Sequence, residues 1–566
     1  MNREDPDHDG CDDVLRRRSA HAHPPRSTMP SRVPPAPSVY RSLLAAVAVT
    51  CACRSDPSPA DTDGGSTTAV AATTGTSGTP TSDTSDSTSS GGEAPETATV
   101  VHSFGAYAMA PHLEIEPCAQ WTLDNEEAIY VNAVTLVNDG GFHHSNWFAV
   151  PEEVFAGEDG YFNCEDRNYV ELTAAIEGTV LFAQSTQSRE ELMTLPAGAV
   201  IKIPPRHKVI ARTHVLNIGS AELNSELRMA LQIVHPRQVE AVLAPMHLDY
   251  HDLAIPAGKR SRFTGNCSFS AAYEKATKTP LDVKLYYVLP HYHYFGEYFG
   301  LQILGGPRDG EVLFELDGFN GGANGKAFDP PVDLTGADGL RFACGYNNWL
   351  GSDIGFGTGD GEMCMMLGLV DSRVMIESRV LAGSELVGVD GEVLLNEAEC
   401  SNYAVKKNPA QSPPTAAEKE APLYVPPTDP GDVDLDPTKD CVDSAATAEP
   451  DLPVTLTSIR DAIFTPSCSF SACHDASAPA AGLDLQTAAG LGARLIDHNV
   501  FAKTDLALVA AGDPEASWLY RLVAECEPRN GDGVAVRHMP LNAPTLMPDP
   551  LVAKLRAWIA AGALDN

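Results

Sequence analysis

The stretch Val283-Lys-Leu-Tyr-Tyr-Val-Leu289, continued by Pro290-His291-Tyr292-His293, decides how this chain is read. Val283, Leu285, Tyr287 and Leu289 recur at a period of two, the signature of a strand with one buried face. Residues i and i+2 of a strand point the same way, so His291 and His293 are expected side by side where this strand ends. A His-x-His alone is more often an ordinary surface pair than a metal site, so its meaning depends on what else the chain supplies.

Outward from this strand the pattern repeats. Val200-Ile201-Lys202-Ile203 and the stretches 208–216, 227–234 and 282–289 are β-branched or alternating, with Gly, Asn, Asp and Pro between them. The expected fold is mainly β, with two tandem antiparallel β-sandwiches of jelly-roll type at 99–245 and 246–402. Their junction is expected near residue 245. The end of the chain differs. Leu456, Ile459 and Ile463 have helical spacing, as do Leu551, Leu555, Trp558 and Ile559 after Asp549-Pro550. Residues 451–566 are therefore expected to form a small α-helical domain. Residues 55–98 are mostly Ser, Thr, Gly, Asp, Ala and Pro, a composition that buries no core and serves as a stalk. A second linker is expected at 403–450, where prolines stand at 409, 413, 414, 422, 426, 427 and 430.

The chain has 566 residues, enough for several domains, and a formal net charge of −37 from 76 acidic and 39 basic residues. Such a surface repels phosphate backbones and argues against a nucleic-acid partner. No apolar run reaches the roughly 20 residues of a spanning helix. Residues 1–54 read as an export signal: Arg32 and Arg41 precede the short apolar stretch 42–49, which meets Cys51-Ala52-Cys53. Cys53, with Ala52 before it, suits lipoprotein processing better than Cys51. Residues 1–28 fit no signal, so Met29 is an alternative start. The protein is expected in the periplasm or at the cell surface, held to the outer membrane by an N-terminal lipid alone; an uncleaved apolar anchor is the alternative. In an exported chain paired cysteines are read as disulfides; of the 13, Cys11 lies before the signal, Cys51 and Cys53 belong to it, seven lie between Cys118 and Cys441, and Cys468, Cys473 and Cys526 lie near the end.

Further metal-ligating residues lie on either side. His143-His144 follows the turn material Asn138-Asp139-Gly140-Gly141. Adjacent strand residues face opposite ways, so this pair serves one metal only at a bulge or strand end. His214, in the strand expected at 209–216, supplies a third nitrogen, and three imidazoles suit copper or zinc. Downstream, Gly357-Thr358-Gly359-Asp360-Gly361-Glu362-Met363-Cys364 places a methionine in an irregular Gly-rich run, where core periodicity does not account for it. A thioether is a soft ligand that favours Cu(I); plain core packing is the other reading. His207, His235, His247 and His251 are expected to be ordinary surface or core histidines.

The ordered set of His143-His144, His214, His291-Tyr-His293, Cys344-Gly-Tyr-Asn-Asn348 and Glu362-Met363-Cys364 resembles the copper type II, ascorbate-dependent monooxygenases. This is the family of peptidylglycine α-hydroxylating and dopamine β-monooxygenases, and the resemblance covers roughly residues 100 to 400. It implies two coppers per chain: an electron-transfer copper on His143, His144 and His214, and an oxygen-activating copper on His291, His293 and Met363. It implies a disulfide between Cys344 and Cys364; Cys118 with Cys164 and Cys267 with Cys400 are further expected pairs. Hydroxylation of a C–H bond with O2 takes two electrons, supplied by ascorbate or another one-electron donor. The peptide-hydroxylating members carry an Arg two residues before the His-x-His, where this chain has Leu289, and polar residues after Glu-Met-Cys, where it has Met365, Met366 and Leu367. A small or apolar organic substrate is expected rather than a peptide.

Near the end, Cys468-Ser-Phe-Ser-Ala-Cys473-His474 resembles a c-type haem attachment site, with four residues between the cysteines in place of two. The surrounding Ala511-Gly-Asp-Pro514, His538-Met539-Pro540 and Trp558-Ile-Ala-Ala-Gly-Ala563 resemble bacterial cytochrome c-like domains. The resemblance implies haem c on Cys468, Cys473 and His474, with Met539 as second axial ligand and Met547 as fallback. A disulfide between Cys468 and Cys473 is the alternative. Two other functions fit parts of the pattern: a non-catalytic exported copper-binding or carbohydrate-binding surface lipoprotein, and a zinc hydrolase. Zinc rarely takes a methionine, and no Glu adjoins the histidines as a base.

Overall fold

We describe a computed structural model of the chain over residues 96–427 and 452–566, apart from 185–188, 220, 294, 319–324, 349–351, 358–360, 408, 471–472, 477–478, 499, 501–505, 531–532, 534, 542 and 544. The export signal expected at 1–54, nearly all of the 55–98 stalk, most of 428–451, and Thr358, Gly359 and Asp360 of the Gly-rich run lie outside these residues.

The protein is mostly β, with four six-stranded sheets in two packed pairs. In the first pair, one sheet runs Thr97–Met109, Leu223–Val234, Ile129–Asn138, Ala199–Ile203, Ala241–Val242, with Glu190–Thr194 also on Ile129–Asn138. Its partner sheet runs Gly160–Phe162, Cys118–Thr122, His207–Asn217, Phe142–Pro151, Thr179–Gln184, with Leu113–Ile115 on His207–Asn217. The inward residues of both, such as Val134, Trp147, Val209 and Leu231, form one core. Each is flanked in sequence by residues facing away, which is why the alternation is readable.

The second pair begins at Ala244. One sheet runs Lys326–Asp333, Lys284–His291, Met365–Val370, Ala244–Tyr250, Val374–Val380, Ser401–Lys406. The other runs Val312–Asp317, Gly296–Leu304, Gly339–Asn348, Lys259–Cys267, Val393–Glu399, Glu385–Asp390. Val242 belongs to the first pair and Ala244 to the second, so the sheets change over at Leu243, beside the expected junction. The sheets are not wholly antiparallel: Met246–Tyr250 runs parallel to Ile376–Val380, and Arg260–Asn266 parallel to Val393–Glu399.

Three departures from the sequence reading have identifiable causes. The register of Lys284–His291 slips between Leu285 and Tyr287, leaving Tyr286 as an extra residue. Val283, Leu285 and Val288 therefore face the core of the second pair, while Tyr286 and Tyr287 pack on the core of the first. The expected common face of Val283, Leu285, Tyr287 and Leu289 is thus broken by a bulge, which reverses side-chain parity. Secondly, the stretch from 403, read as a spacer, opens within the strand Ser401–Lys406 and then straps back over the first pair. There Ala416–Glu420 is a short helix with a Thr415–Glu418 capping box. Thirdly, the strand Thr97–Met109 starts inside the last residues assigned to the stalk.

The described elements beyond residue 451 are helices. A helical run from Leu456 to Ser467, with one wide turn at Arg460–Phe464, packs Leu456, Ile459 and Ile463 against Leu555, Trp558 and Ile559 of the helix Asp549–Ala560.

Candidate metal centres

His207–Asn217 and Phe142–Pro151 are antiparallel partners, and the ladder slips between them. His214 opposes His144, but Val215 opposes Phe142. His143 is the extra residue, so the bulge turns both His143 and His144 away from the core that holds Phe142 and Trp147. Gly140 and Gly141, both at positive φ, make the tight approach to this strand; a Cβ on Gly141 would collide with Met109 and Leu223. Ligand atoms of His143, His144 and His214 lie within 4.8 Å of one another. His214 Nδ1 is 3.0 Å from His144 Nε2, close to the separation of two nitrogens that share one metal at about 2 Å. The other His214 nitrogen meets Glu114 Oε1 at 3.1 Å, an orienting carboxylate 100 residues away that no sequence pattern announced.

Burial, reinforced by His214, holds the His143 and His144 imidazoles well below their ordinary pKa. They are neutral and keep the lone pairs that a metal needs.

The second group stands where Lys284–His291 ends. The bulge at Tyr286 puts Tyr292 in the core and leaves His291 on the opposite face. The two rings lie 5.3 Å apart. His293 Nδ1 is 2.8 Å from the Gly361 carbonyl, which can only accept, so its proton sits on Nδ1 and Nε2 keeps a lone pair. His291 Nε2 is buried with no hydrogen-bond partner. Such an orphaned nitrogen fits a metal ligand, since buried polar atoms otherwise find partners. Burial lowers His293 to about 4 and His291 well below the usual imidazole value.

In the ladder His291 opposes Met365, and Met363 lies two residues before Met365 in the sequence. Met363 is buried, and its carbonyl accepts from the Tyr346 hydroxyl at 2.7 Å. Glu362, fully buried, ties the two segments together: its carboxylate accepts from the backbone N–H of His293 (2.9 Å), Phe295 (2.8 Å) and Met363 (3.2 Å). Burial outweighs these bonds and pushes its pKa up to about 8. Glu362 stood in the quoted motif, but its clamp is visible only once the loop is folded.

Disulfides join Cys344 to Cys364, Cys118 to Cys164 and Cys267 to Cys400. The first pins the Met363 segment to the strand Gly339–Asn348. Neither Cys468 nor Cys473 belongs to these three.

His247 and His251, expected to be ordinary surface or core histidines, belong to a partly buried polar row. His247 Nδ1 meets Glu377 Oε1 at 3.0 Å, and His251 bonds Asp249 while its ring stacks on Phe356 of the Gly-rich loop at 4.1 Å.

At the helical end, a cleft is lined by Cys468, Cys473, His474, His498 and Met539 among apolar residues such as Trp518. Met547 packs in the helical core and is not among the residues lining this cleft. His474 Nδ1 is 3.1 Å from the Leu483 carbonyl, which leaves Nε2 with its lone pair, and burial lowers the ring to about 4. His498 was not singled out in the sequence; no spacing marks it.

No protein-family model matches the sequence, and no curated protein matches it. Among solved structures the chain is similar to a chain of infectious bursal disease virus, Gx strain, at 6% identity over 49% of this chain and 40% of that one. The TM-score of 0.12 carries no argument about fold or function.

Proposed function

We propose that this chain is an exported copper-dependent monooxygenase that hydroxylates a C–H bond of a small or apolar substrate with O2, with a cytochrome c-like domain at 451–566. The finer fold reading goes with it: two tandem jelly-roll-like sandwiches, 99–245 and 246–402, each contributing one copper site. The observation that carries the reading is a pair of unlike, buried nitrogen sites. One has three converging imidazoles; the other has His291 Nε2 orphaned beside the Met363 segment.

Bound copper would supply single-electron steps and an affinity for O2, and haem a one-electron store. The chain does the rest. Burial keeps the imidazoles neutral, so their lone pairs face the metal rather than a proton. Glu362 holds His293 and Met363 at a fixed spacing, and the Cys344–Cys364 bridge limits the freedom of that loop. Leu289 and Met365, both buried, wall the His291 side with apolar surface and exclude water. No carboxylate-binding Arg stands at Leu289, which supports an apolar substrate. Three disulfides support an oxidising compartment and hence export to the periplasm or cell surface. At the cleft, a His474 ring held by the Leu483 carbonyl and a lining of two cysteines and Met539 fit haem.

Metal analysis with EPR of the purified full chain, before and after ascorbate, tests the reading. Two coppers per chain are expected, and Met363→Ile is expected to abolish O2-dependent turnover while the three-histidine copper is retained. One copper or none, or zinc in its place, would overturn the proposal; a copper-binding protein without catalysis would show turnover in neither form. Efficient turnover of a glycine-extended peptide would refute the apolar substrate.

A further inference from the structure

The helical end is packed against the first pair of sheets as well as tethered to the chain. Leu216 and Ile218 form a buried apolar cluster with Phe470, Cys473, Leu541 and Ala543, and Met539 packs against it. Cys473 and Met539 also line the cleft. Leu216 stands two residues beyond His214 on the strand His207–Asn217, a step of about 7 Å. Val215 between them points into the core, so His214 and Leu216 share the opposite face. The wall of the cleft and the strand that carries His214 thus meet at one desolvated apolar contact. Among the described residues, none of 246–402 belongs to that contact.

Resting on the functional reading above, we infer that the Leu216–Ile218 lip is a fixed seat for the C-terminal segment, and that an electron held in the Cys468–Cys473–His474 cleft is delivered at His214, not at the His291–His293 side. In that transfer one haem iron(II) becomes iron(III) and one copper(II) becomes copper(I). A single electron moves, no proton is exchanged, and a soluble one-electron donor such as ascorbate restores iron(II).

The test uses the full chain loaded with haem and copper, without O2. The haem is reduced by a light flash, its reoxidation is followed by absorbance, and loss of copper(II) by freeze-quench EPR. The reoxidation is expected to be first-order and independent of protein concentration. Ile218→Lys on one side of the contact and Ala543→Glu on the other are each expected to slow it by about tenfold or more, as an intramolecular step becomes a bimolecular one. Both should leave the haem spectrum and the copper EPR parameters unchanged, and both should weaken the relaxation of copper(II) by ferric haem, a distance-dependent signal that needs no turnover. A rate that rises with protein concentration, or both variants at the parental rate, overturns the seat. A chain that takes up no haem or no copper defeats the functional reading and the seat with it. A loaded chain whose variants behave like the parent defeats the seat alone.

Discussion

His247 and Glu377 oppose each other on two parallel strands, with Arg379 and Asp249 the next opposed pair on the same face. Burial disfavours the charged imidazole, yet Glu377 and then Asp249 hold its pKa above the ordinary value. Burial likewise opposes the Glu377 carboxylate, but His247 and Arg379 bring it below its ordinary range. The signs set a pH window. The raised imidazole contributes fully below its unfolded value and loses its contribution as pH rises through the folded one. The lowered carboxylate contributes above its unfolded value and loses it as pH falls through the folded one. His247→Gln should therefore lower the thermal unfolding midpoint at about pH 6, with a smaller loss at about pH 9. Equal losses at the two pH values would show that the charge of His247 is not what stabilises this row.

At the level of elements, two one-residue bulges and one disulfide shape both histidine groups. The bulge at His143 gathers two neighbouring imidazoles on one face, and the bulge at Tyr286 moves His291 off the core face. Each costs a ladder hydrogen bond and gains a side-chain direction that regular strands forbid. The Cys344–Cys364 bridge spans 20 residues, for which chain entropy lost from the unfolded state is worth about 3 kcal/mol. Cys344→Ala with Cys364→Ala should lower the unfolding free energy in denaturant by about that amount. If the proposed coppers bind, the one on the His291–His293 side should be lost first, so that metal analysis finds one ion per chain. Retention of both ions would mean that Glu362 alone holds the loop.

On the scale of the whole molecule, the chain crosses from the first pair of sheets to the second at Leu243 and then returns. Residues 409–424 lie back over the first pair: the Tyr130 hydroxyl donates to Glu418 Oε1 at 2.8 Å, the Glu126 N–H donates to the Tyr424 hydroxyl at 2.8 Å, and Leu423 packs on the core. With Tyr286 and Leu369 of the second pair also seated on that core, the two pairs are clasped from both ends. Tyr130→Phe should cost about 1 kcal/mol in urea unfolding, at the low end for a bond to a charged group because Glu418 is partly exposed. A loss of several kcal/mol would mean that the whole strap is released together.

The strand content and the change of pattern after residue 451 were legible in the sequence, because period-two and period-3.6 alternation are local properties of the chain. The Gly140-Gly141 turn and the helix start at Asp549-Pro550 were legible for the same reason: each depends on backbone preferences of one or two residues. What the alternation could not carry was parity across a bulge. One inserted residue reverses every later side chain, and the insertion is favoured by contacts between strands distant in sequence, such as Tyr286 on the core of the first pair. The roles of Glu114, Glu362 and the Leu216–Ile218 lip were hidden likewise. Each acts through a partner 67 or more residues away, and only the packed sheets bring those partners within bonding distance.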